Sequence, residues 1–338
     1  MSTKHESELL ERKVRSLVIE DDGTDTLVFN KGHERTVAKL LLLGQWADLY
    51  SKIINKNFQS HNYRFVDLLA GAGKTRIEEV KGKLIKGSVF AVDTFAEMYP
   101  FSKYVLVENN REKNEALKIR TSVFGEKCEI LKKDCNLVAE EIFANYPYHN
   151  LVFIDNEGFD AEWKTLETVM KAKADIIINY PTAMFRRVPS VSEEKLNRFF
   201  GDESWRIAKY ARKQSLEIYM EKLKKAYEKI KYETTGRHMP AYVNNIRLGN
   251  DTYFYDIILV SKQGPYTHYW EDLRDEFHKK SCDKLLDFIN NKTSKLECFA
   301  GFNQKIQKLG DKPKKTKEPQ KDHDTTLETY FPSQHHSQ

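Results

Sequence analysis

The feature that most constrains this chain is a series of apolar segments between Arg64 and Asn179, each followed by a stretch of helical spacing. Arg64–Leu69, Lys103–Glu108, Cys128–Lys132, Asn150–Ile154 and Asp175–Asn179 read as strands. Ser88–Met98, Arg111–Phe124, Asn136–Ala144 and Ala161–Lys171 carry the three-to-four-residue apolar period of helices. Strands that are apolar on both faces are covered on both faces, and parallel neighbours need a crossover helix of fixed hand. The pattern predicts an α/β fold: a doubly wound, mostly parallel, Rossmann-like sheet.

The flanking segments divide the chain further. Residues 1–60 read as an N-terminal extension and helix. Within them 1–16 are polar and read as loose. Ser16–Glu20 and Thr26–Phe29 read as a strand pair about Asp21-Asp22-Gly23-Thr24, and His33–Lys56 as a helix. Residues 61–302 form the expected main domain, with a polar helical insertion at about 184–232 whose long run spans Glu203 to Tyr232. A β-hairpin, Val243–Leu248 and Tyr253–Ser261 about Gly249-Asn250-Asp251, closes the sheet, and helices from about Trp270 to Ile289 finish the body. From residue 303 lysine, proline and polar residues dominate with no apolar period, so the tail 303–338 is expected to be disordered.

The net charge of +5 suggests nucleic-acid binding until it is located. Seven lysines (305, 308, 312, 314, 315, 317 and 321) against Asp311 and Glu318 account for all of it, leaving the body formally neutral. Cys128, Cys135, Cys282 and Cys298 show no metal-ligand spacing and read as reduced thiols, so no metal site is expected. No run approaches the roughly 18 apolar residues of a membrane span. The N-terminus has no apolar core of a signal peptide, which predicts a cytoplasmic protein.

The most informative segment is Phe65-Val66-Asp67-Leu68-Leu69-Ala70-Gly71-Ala72-Gly73, an apolar strand ending in Asp and followed by Gly-x-Gly. Ligands of α/β sheets bind at that edge, where glycines let backbone approach closely. Glu108 ends the second strand, where a carboxylate accepts hydrogen bonds from two ribose hydroxyls. Asp134 follows the third strand and suits an adenine amino group. Acids at three successive strand ends predict an adenosyl cofactor, S-adenosyl-L-methionine (AdoMet), held by Asp67, Gly71, Gly73, Glu108 and Asp134. Gly71-Ala-Gly-Lys74-Thr75 also resembles the end of a P-loop. The complete motif requires glycine where this chain has Leu68, so the phosphate-cradling loop is too short.

Over residues 30–265 the sequence resembles the three-Cys-motif partner (TcmP) family, which is similar to class I AdoMet methyltransferases. The resemblance rests on Gly32-His33-Glu34-Arg35-Thr36 with Lys39, on Asp67–Gly73, on Ile154-Asp155-Asn-Glu-Gly158 and on Asp175-Ile-Ile-Ile-Asn-Tyr-Pro181. It implies a class I methyltransferase fold, for which a closing hairpin is usual, and an AdoMet site. Class I amino methyltransferases carry Asp/Asn-Pro-Pro-aromatic after the fourth strand, and this chain has Asp155-Asn156-Glu157-Gly158, with Phe159 one position late. Asp155 and Glu157 are the candidates for a general base or polar clamp; a water-facing strand-end pair is the other reading. No Pro-Cys pair is present for covalent methylation at carbon. Asn179-Tyr180-Pro181-Thr182 follows the fifth strand and reads as the far pocket wall. Arg186, Arg187 and Arg237 read either as phosphate contacts at the pocket mouth or as surface ion pairs, and His33 as a helix-start or packing residue.

Asp324-Thr-Thr-Leu327-Glu-Thr-Tyr330-Phe331 gathers Leu327, Tyr330 and Phe331 onto one face of a helical turn. It resembles the peptide that docks to the DNA sliding clamp PCNA, with Asp324 in place of the leading Gln. Two functions follow as expectations. One is an AdoMet-dependent methyltransferase acting on nucleic acid or an associated protein, recruited to the clamp in an archaeal or eukaryotic cell, with weak nucleic-acid contact through the lysine-rich linker. The other is a catalytically inactive clamp-binding adaptor in replication or repair that keeps the fold.

Overall fold

The computed structural model describes residues 3–58, 62–77, 79–80, 82–144, 147, 149–156, 158–185, 192–211, 214–249, 254–277 and 279–296. Glu157, Arg186, Arg187, Cys298 and the tail with Asp324, Leu327, Tyr330 and Phe331 lie outside them.

In chain order the elements are α1 (Thr3–Leu17), β1 (Val18–Glu20), β2 (Asn30–Gly32), α2 (Glu34–Phe58), β3 (Tyr63–Asp67), β4 (Lys74–Ile77), β5 (Lys83–Lys86) and α3 (Ser88–Phe95). Then come β6 (Lys103–Val107), α4 (Arg111–Thr121), a 3₁₀ turn over Ser122–Lys127, β7 (Cys128–Leu131), α5 (Cys135–Phe143), β8 (His149–Ile154), α6 (Trp163–Lys171) and β9 (Ala174–Tyr180). The chain continues with α7 (Thr182–Phe185), α8 (Glu193–Phe200), α9 (Trp205–Ala211), α10 (Ser215–Thr235), β10 (Ala241–Gly249), β11 (Phe254–Lys262), α11 (His268–Glu276) and α12 (Lys279–Ile289).

The main sheet has seven strands in the order β7-β6-β3-β8-β9-β11-β10. β7, β6, β3, β8 and β9 are parallel. β11 enters antiparallel against β9, and β10 pairs antiparallel with β11. A reversed strand inserted between the fifth and the last defines the methyltransferase-type fold; the strand pattern predicted the doubly wound, mostly parallel sheet and its closing hairpin. Within each central strand alternate residues go to opposite faces. Phe65, Leu106, Leu151 and Ile177 pack beneath α2, α3 and α11. Val66, Val105, Val152 and Ile178 pack beneath α5, α6 and α10. Both faces are buried, which is why these strands read as continuous apolar runs.

Three segments depart from expectation. Residues 3–17 are not loose: α1 is a helix with Leu10, Val14 and Leu17 buried, and Lys13 Nζ donates to Phe95 O at 2.8 Å. A stripe of three apolar residues in a charged segment needs tertiary contact to become a helix. The expected pairing of Ser16–Glu20 with Thr26–Phe29 does not form either. β1 pairs with β5 and β2 with β4, giving a second, four-stranded sheet in the order β1-β5-β4-β2. The turn at Gly23 is present, with φ +74° and local Asp21 and Asp22 bonds. Beyond it Asp25 is drawn to Lys74 and Arg120, which takes the chain away from β1. Finally, the long run from Glu203 is two helices, α9 and α10. α10 is the crossover that lets β10 run parallel to β9, and it packs Leu216, Tyr219 and Leu223 onto the sheet.

Cys128 and Cys135 are free thiols. Among the described residues no helix is long and apolar enough to cross a membrane.

Candidate active site

A cavity of about 930 Å³ opens at the carboxyl edge of the parallel strands. It brings together Gly71 after β3, Glu108 after β6, Asp134 before α5 and Asp155 after β8. Asp67 and Gly73, expected beside them, do not line it. Their places explain the loop instead.

Asp67 is 1% exposed beneath the glycine loop. One carboxylate oxygen accepts from Leu69 N at 3.0 Å and the other accepts from the Ser88 hydroxyl. Burial raises its pKa to about 7, against the lowering effect of those bonds. Asp67 therefore ties the loop to the start of α3. Gly71 and Gly73 take φ of +64° and +77°, in the left-handed region. A Cβ on Gly71 would lie 2.2 Å from Asn30 Nδ2, and one on Gly73 would lie 3.1 Å from Leu117 Cδ1. The loop is held from behind: Ala72 N donates to Asn30 Oδ1 at 3.1 Å, Arg120 Nη1 donates to Ala72 O at 2.7 Å, and Gly87 N donates to Gly73 O at 2.9 Å. Asn30 and Arg120 were not found by sequence reasoning, because neither carries a local signal.

The phosphate-loop reading fails on geometry. The glycine loop leads into β4 and not into a helix N-terminus, so no helix dipole faces the cavity there. Lys74 is bound to Asp25 at 2.7 Å and lines a separate cavity of about 820 Å³ with Asp25 and Arg120.

Glu108 Oε1 accepts from Asn110 N at 2.7 Å, and Asp134 Oδ1 caps α5 by accepting from Asn136 N at 2.8 Å. The second oxygen of each has no partner among the described residues and is available to a ligand. Two acceptor oxygens beside a closely approachable backbone suit a ligand bearing hydroxyls and an amine, which is the character of an adenosyl group.

Asp155 stands where the acceptor chemistry was expected, but not alone. Lys39 Nζ, from α2, donates to both its oxygens at 2.6 and 2.5 Å, and Asn179 Nδ2, from β9, donates at 2.8 Å. Lys39 is 1% exposed and lies 5.5 Å from the Tyr255 ring centre. The next residue, Asn156, is buried and its Oδ1 accepts from Asp160 N at 2.5 Å, closing a tight loop. Within it Phe159 adopts φ +59°, a conformation costly for an aromatic residue. That turn lets Phe159 line the cavity despite its late position, with its ring edge-on to Phe199 at 4.9 Å.

Four cations at the cavity were not predicted: Lys31, Lys113, Lys195 and Arg198. Lys195 pairs with Asp160 at 2.8 Å and Arg198 with Glu162 at 3.6 Å. Arg237 is exposed just before β10, at the opposite edge of the sheet, so it does not serve this cavity. His33 Nδ1 lies 3.3 Å from Glu79 on the surface.

No protein-family model and no curated protein matches this sequence. Among solved structures, it is similar to Trm1 from Pyrococcus horikoshii in complex with S-adenosyl-L-methionine, at 11% identity and TM-score 0.35 over 65% of this chain. That match spans 55% of the Trm1 chain, a little over half its length. Protein LPL1258 from Legionella pneumophila matches at 11% identity and TM-score 0.43 over 74% of this chain and 92% of its own. An O-methyltransferase from Bacillus cereus in complex with SAH matches at 10% identity and TM-score 0.35, over 77% and 91% respectively.

Proposed function

We propose that this chain is an AdoMet-dependent methyltransferase of the TcmP type, acting on nucleic acid or an associated protein and recruited to the DNA sliding clamp by its C-terminal tail. The observation that carries the first part is the single cavity onto which Gly71, Glu108, Asp134 and Asp155 converge from four successive strand ends. In this reading the free oxygens of Glu108 and Asp134 take the ribose hydroxyls and the adenine amino group. The Gly71 backbone passes beside the ligand. When bound, AdoMet supplies an electrophilic methyl group, and Asp155 faces the acceptor. The contact between Lys39 of the leading helix and Asp155 supports the TcmP resemblance, because it joins two of the segments on which that resemblance rests.

The clamp-docking part rests on Leu327, Tyr330 and Phe331, with Asp324 at the leading position. An inactive adaptor is the second reading. The engagement of Asp155 by Lys39 and Asn179 favours it, since those donors already occupy most of the carboxylate's acceptor positions.

Calorimetric titration of AdoMet and AdoHcy into the wild type and Glu108→Ala, with ATP as control, separates the readings. Glu108→Ala is preferable to Asp67→Ala for this purpose, because Asp67→Ala would remove both hydrogen bonds that hold the loop. Micromolar binding of AdoMet that Glu108→Ala weakens at least tenfold supports the enzyme. Absence of AdoMet binding leaves the adaptor.

A further inference from the structure

Behind the glycine loop, the cavity of about 820 Å³ that contains Lys74 is a groove with an apolar lining of Ile19, Leu27, Phe90, Ile119, Val123 and Phe124. Ile119 and Val123 are 58% and 77% exposed, and large apolar side chains that share one open surface mark a place where something docks. The half-buried rings of Phe90 and Phe124 lie tilted with centres 5.2 Å apart, and Phe124 packs in turn on Tyr104 at 5.1 Å. Half-buried rings beside exposed aliphatic side chains fit aromatic and aliphatic anchors better than a polar ligand.

We infer that this groove seats the chain's own C-terminal peptide, with Leu327, Tyr330 and Phe331 as its anchors. Chemistry, charge and path each select that occupant. In a helical turn the three anchors share one face, an aliphatic residue beside two rings, which matches the lining. The groove sets Lys74, Lys86 and Arg120 against Asp25 and Asp93. The Lys86 ammonium lies 5.8 Å from the Phe90 ring centre and has no carboxylate partner among the described residues. Residues 322–331 carry Asp322, Asp324 and Glu328 with no lysine or arginine, although a lysine run precedes them. The sign therefore favours the peptide over its linker. Lys83 Nζ donates to Ile289 O at 2.8 Å, and Leu296 N donates to Glu11 Oε1 at 2.9 Å. The chain thus leaves the body over α1 and β5, and β1, which continues α1, carries Ile19 while β5 carries Lys86. About thirty residues separate Leu296 from Leu327, and such a length spans up to roughly 100 Å when extended. The peptide reaches the groove, and its attachment gives it a local concentration that a partner from solution lacks. Seating the tail here requires neither a methyl donor nor a clamp. The same three side chains cannot occupy the groove and a clamp together, so a clamp must compete with the body for the tail.

Methyl NMR on the full chain tests this, because an aromatic ring packed on a methyl group shifts its resonance. The methyl signals of Leu27, Ile119 and Val123 are expected to differ between the wild type and Tyr330→Ala/Phe331→Ala. Those of Leu166 and Val169, in the core on the other face of the sheet, are expected to stay in place. A synthetic peptide of residues 318–338, added to Tyr330→Ala/Phe331→Ala, is expected to restore the wild-type positions. Its affinity is expected to fall at least tenfold when Ile119→Glu/Val123→Glu is introduced as well. Both of these positions are exposed, and thermal unfolding checks that the fold survives. Lys86→Glu, which reverses the charge at the groove and is also expected to weaken the peptide, serves if the double substitution does not fold. Methyl signals indifferent to the tail substitutions, or peptide binding indifferent to the groove variants, overturn the inference. Signals that move with protein concentration would put the tail of a second copy in the groove and overturn the intramolecular contact.

Discussion

Arg120 and Asp25, 95 residues apart, form a two-pronged ion pair directly behind the glycine loop: Nε to Oδ2 at 3.1 Å and Nη2 to Oδ1 at 2.9 Å. The remaining arm of Arg120 donates to Ala72 O and to Val28 O, each at 2.7 Å. One guanidinium thus connects the segment between β1 and β2, α4 and the loop that faces the cavity, a task suited to its fixed fork of donors.

Arg120→Met is expected to destabilise the protein by about 3 kcal/mol, because Asp25 is left with Lys74 and the Leu27 amide and two carbonyls lose their donor. Burial pushes the Asp25 carboxyl up, but hydrogen bonds from Arg120 and Lys74 more than reverse this and hold it well below the usual range. A depressed carboxyl contributes stability that is present above about pH 4 and lost as pH falls further. Urea unfolding at pH 7 and pH 3 should therefore show the deficit of Arg120→Met shrinking in acid. A deficit that stays constant would mean the charge pair is not its source.

Gly71 and Gly23 separate crowding from backbone strain. Both are left-handed, but a Cβ at Gly23 meets nothing within 4 Å, whereas one at Gly71 meets Asn30 at 2.2 Å. Gly23→Ala is expected to cost about 1 kcal/mol, the strain of the left-handed region alone. Gly71→Ala should cost at least twice that and also weaken AdoHcy binding, because Asn30 must release Ala72 N. Thermal unfolding of both variants beside calorimetry decides the matter; equal losses would show that the Asn30 contact yields freely.

The parallel strands were legible because each is buried on both faces, so that Leu106 and Val107, or Ile176, Ile177 and Ile178, leave no polar interruption in the sequence. The acids at the strand ends were legible because strand order fixes where they emerge. What escaped was non-local. β4 and β5 are four residues each, and their meaning comes from β1 and β2, tens of residues upstream. Lys39 was noticed as part of a motif, but its partner Asp155 is 116 residues away, and no spacing rule connects them. For Asp67 the sequence leaves the direction open, since a strand-end acid can turn toward a ligand or, as here, beneath its own turn.

α1 illustrates the same point energetically. Leu10 is fully buried among residues of the main core, so Leu10→Ala is expected to cost about 2–5 kcal/mol despite lying in a segment that reads as polar. A loss below about 0.5 kcal/mol by urea denaturation would mean that α1 docks only weakly.

The tail carries its own prediction. Tyr330→Ala/Phe331→Ala removes two of three apolar anchors and is expected to lower the affinity of the full chain for the clamp at least tenfold by surface plasmon resonance. AdoHcy binding should not change. Unaltered clamp affinity would remove the recruitment half of the proposed function and leave the cavity's role intact.

Asp67 gives the clearest pH signature. With its pKa raised to about 7 in the fold and near 3.9 when unfolded, the native state binds the extra proton between those values. Stability from this group is greatest below about pH 4, declines as pH rises to about 7, and is flat beyond. Asp67→Asn retains an acceptor for Leu69 N and presents a donor to Ser88, but cannot ionise. It should match the wild type near pH 4 and exceed it at pH 8 by on the order of 1 kcal/mol or more, since each unit of displacement is worth about 1.4 kcal/mol. Asp175, also raised by burial, to about 6, imposes a slope of the same sign on both proteins, so the difference between them isolates Asp67. Guanidinium unfolding at the two pH values measures it. An Asp67→Asn variant less stable at pH 8 would show that the ionised carboxylate is what holds the glycine loop in place.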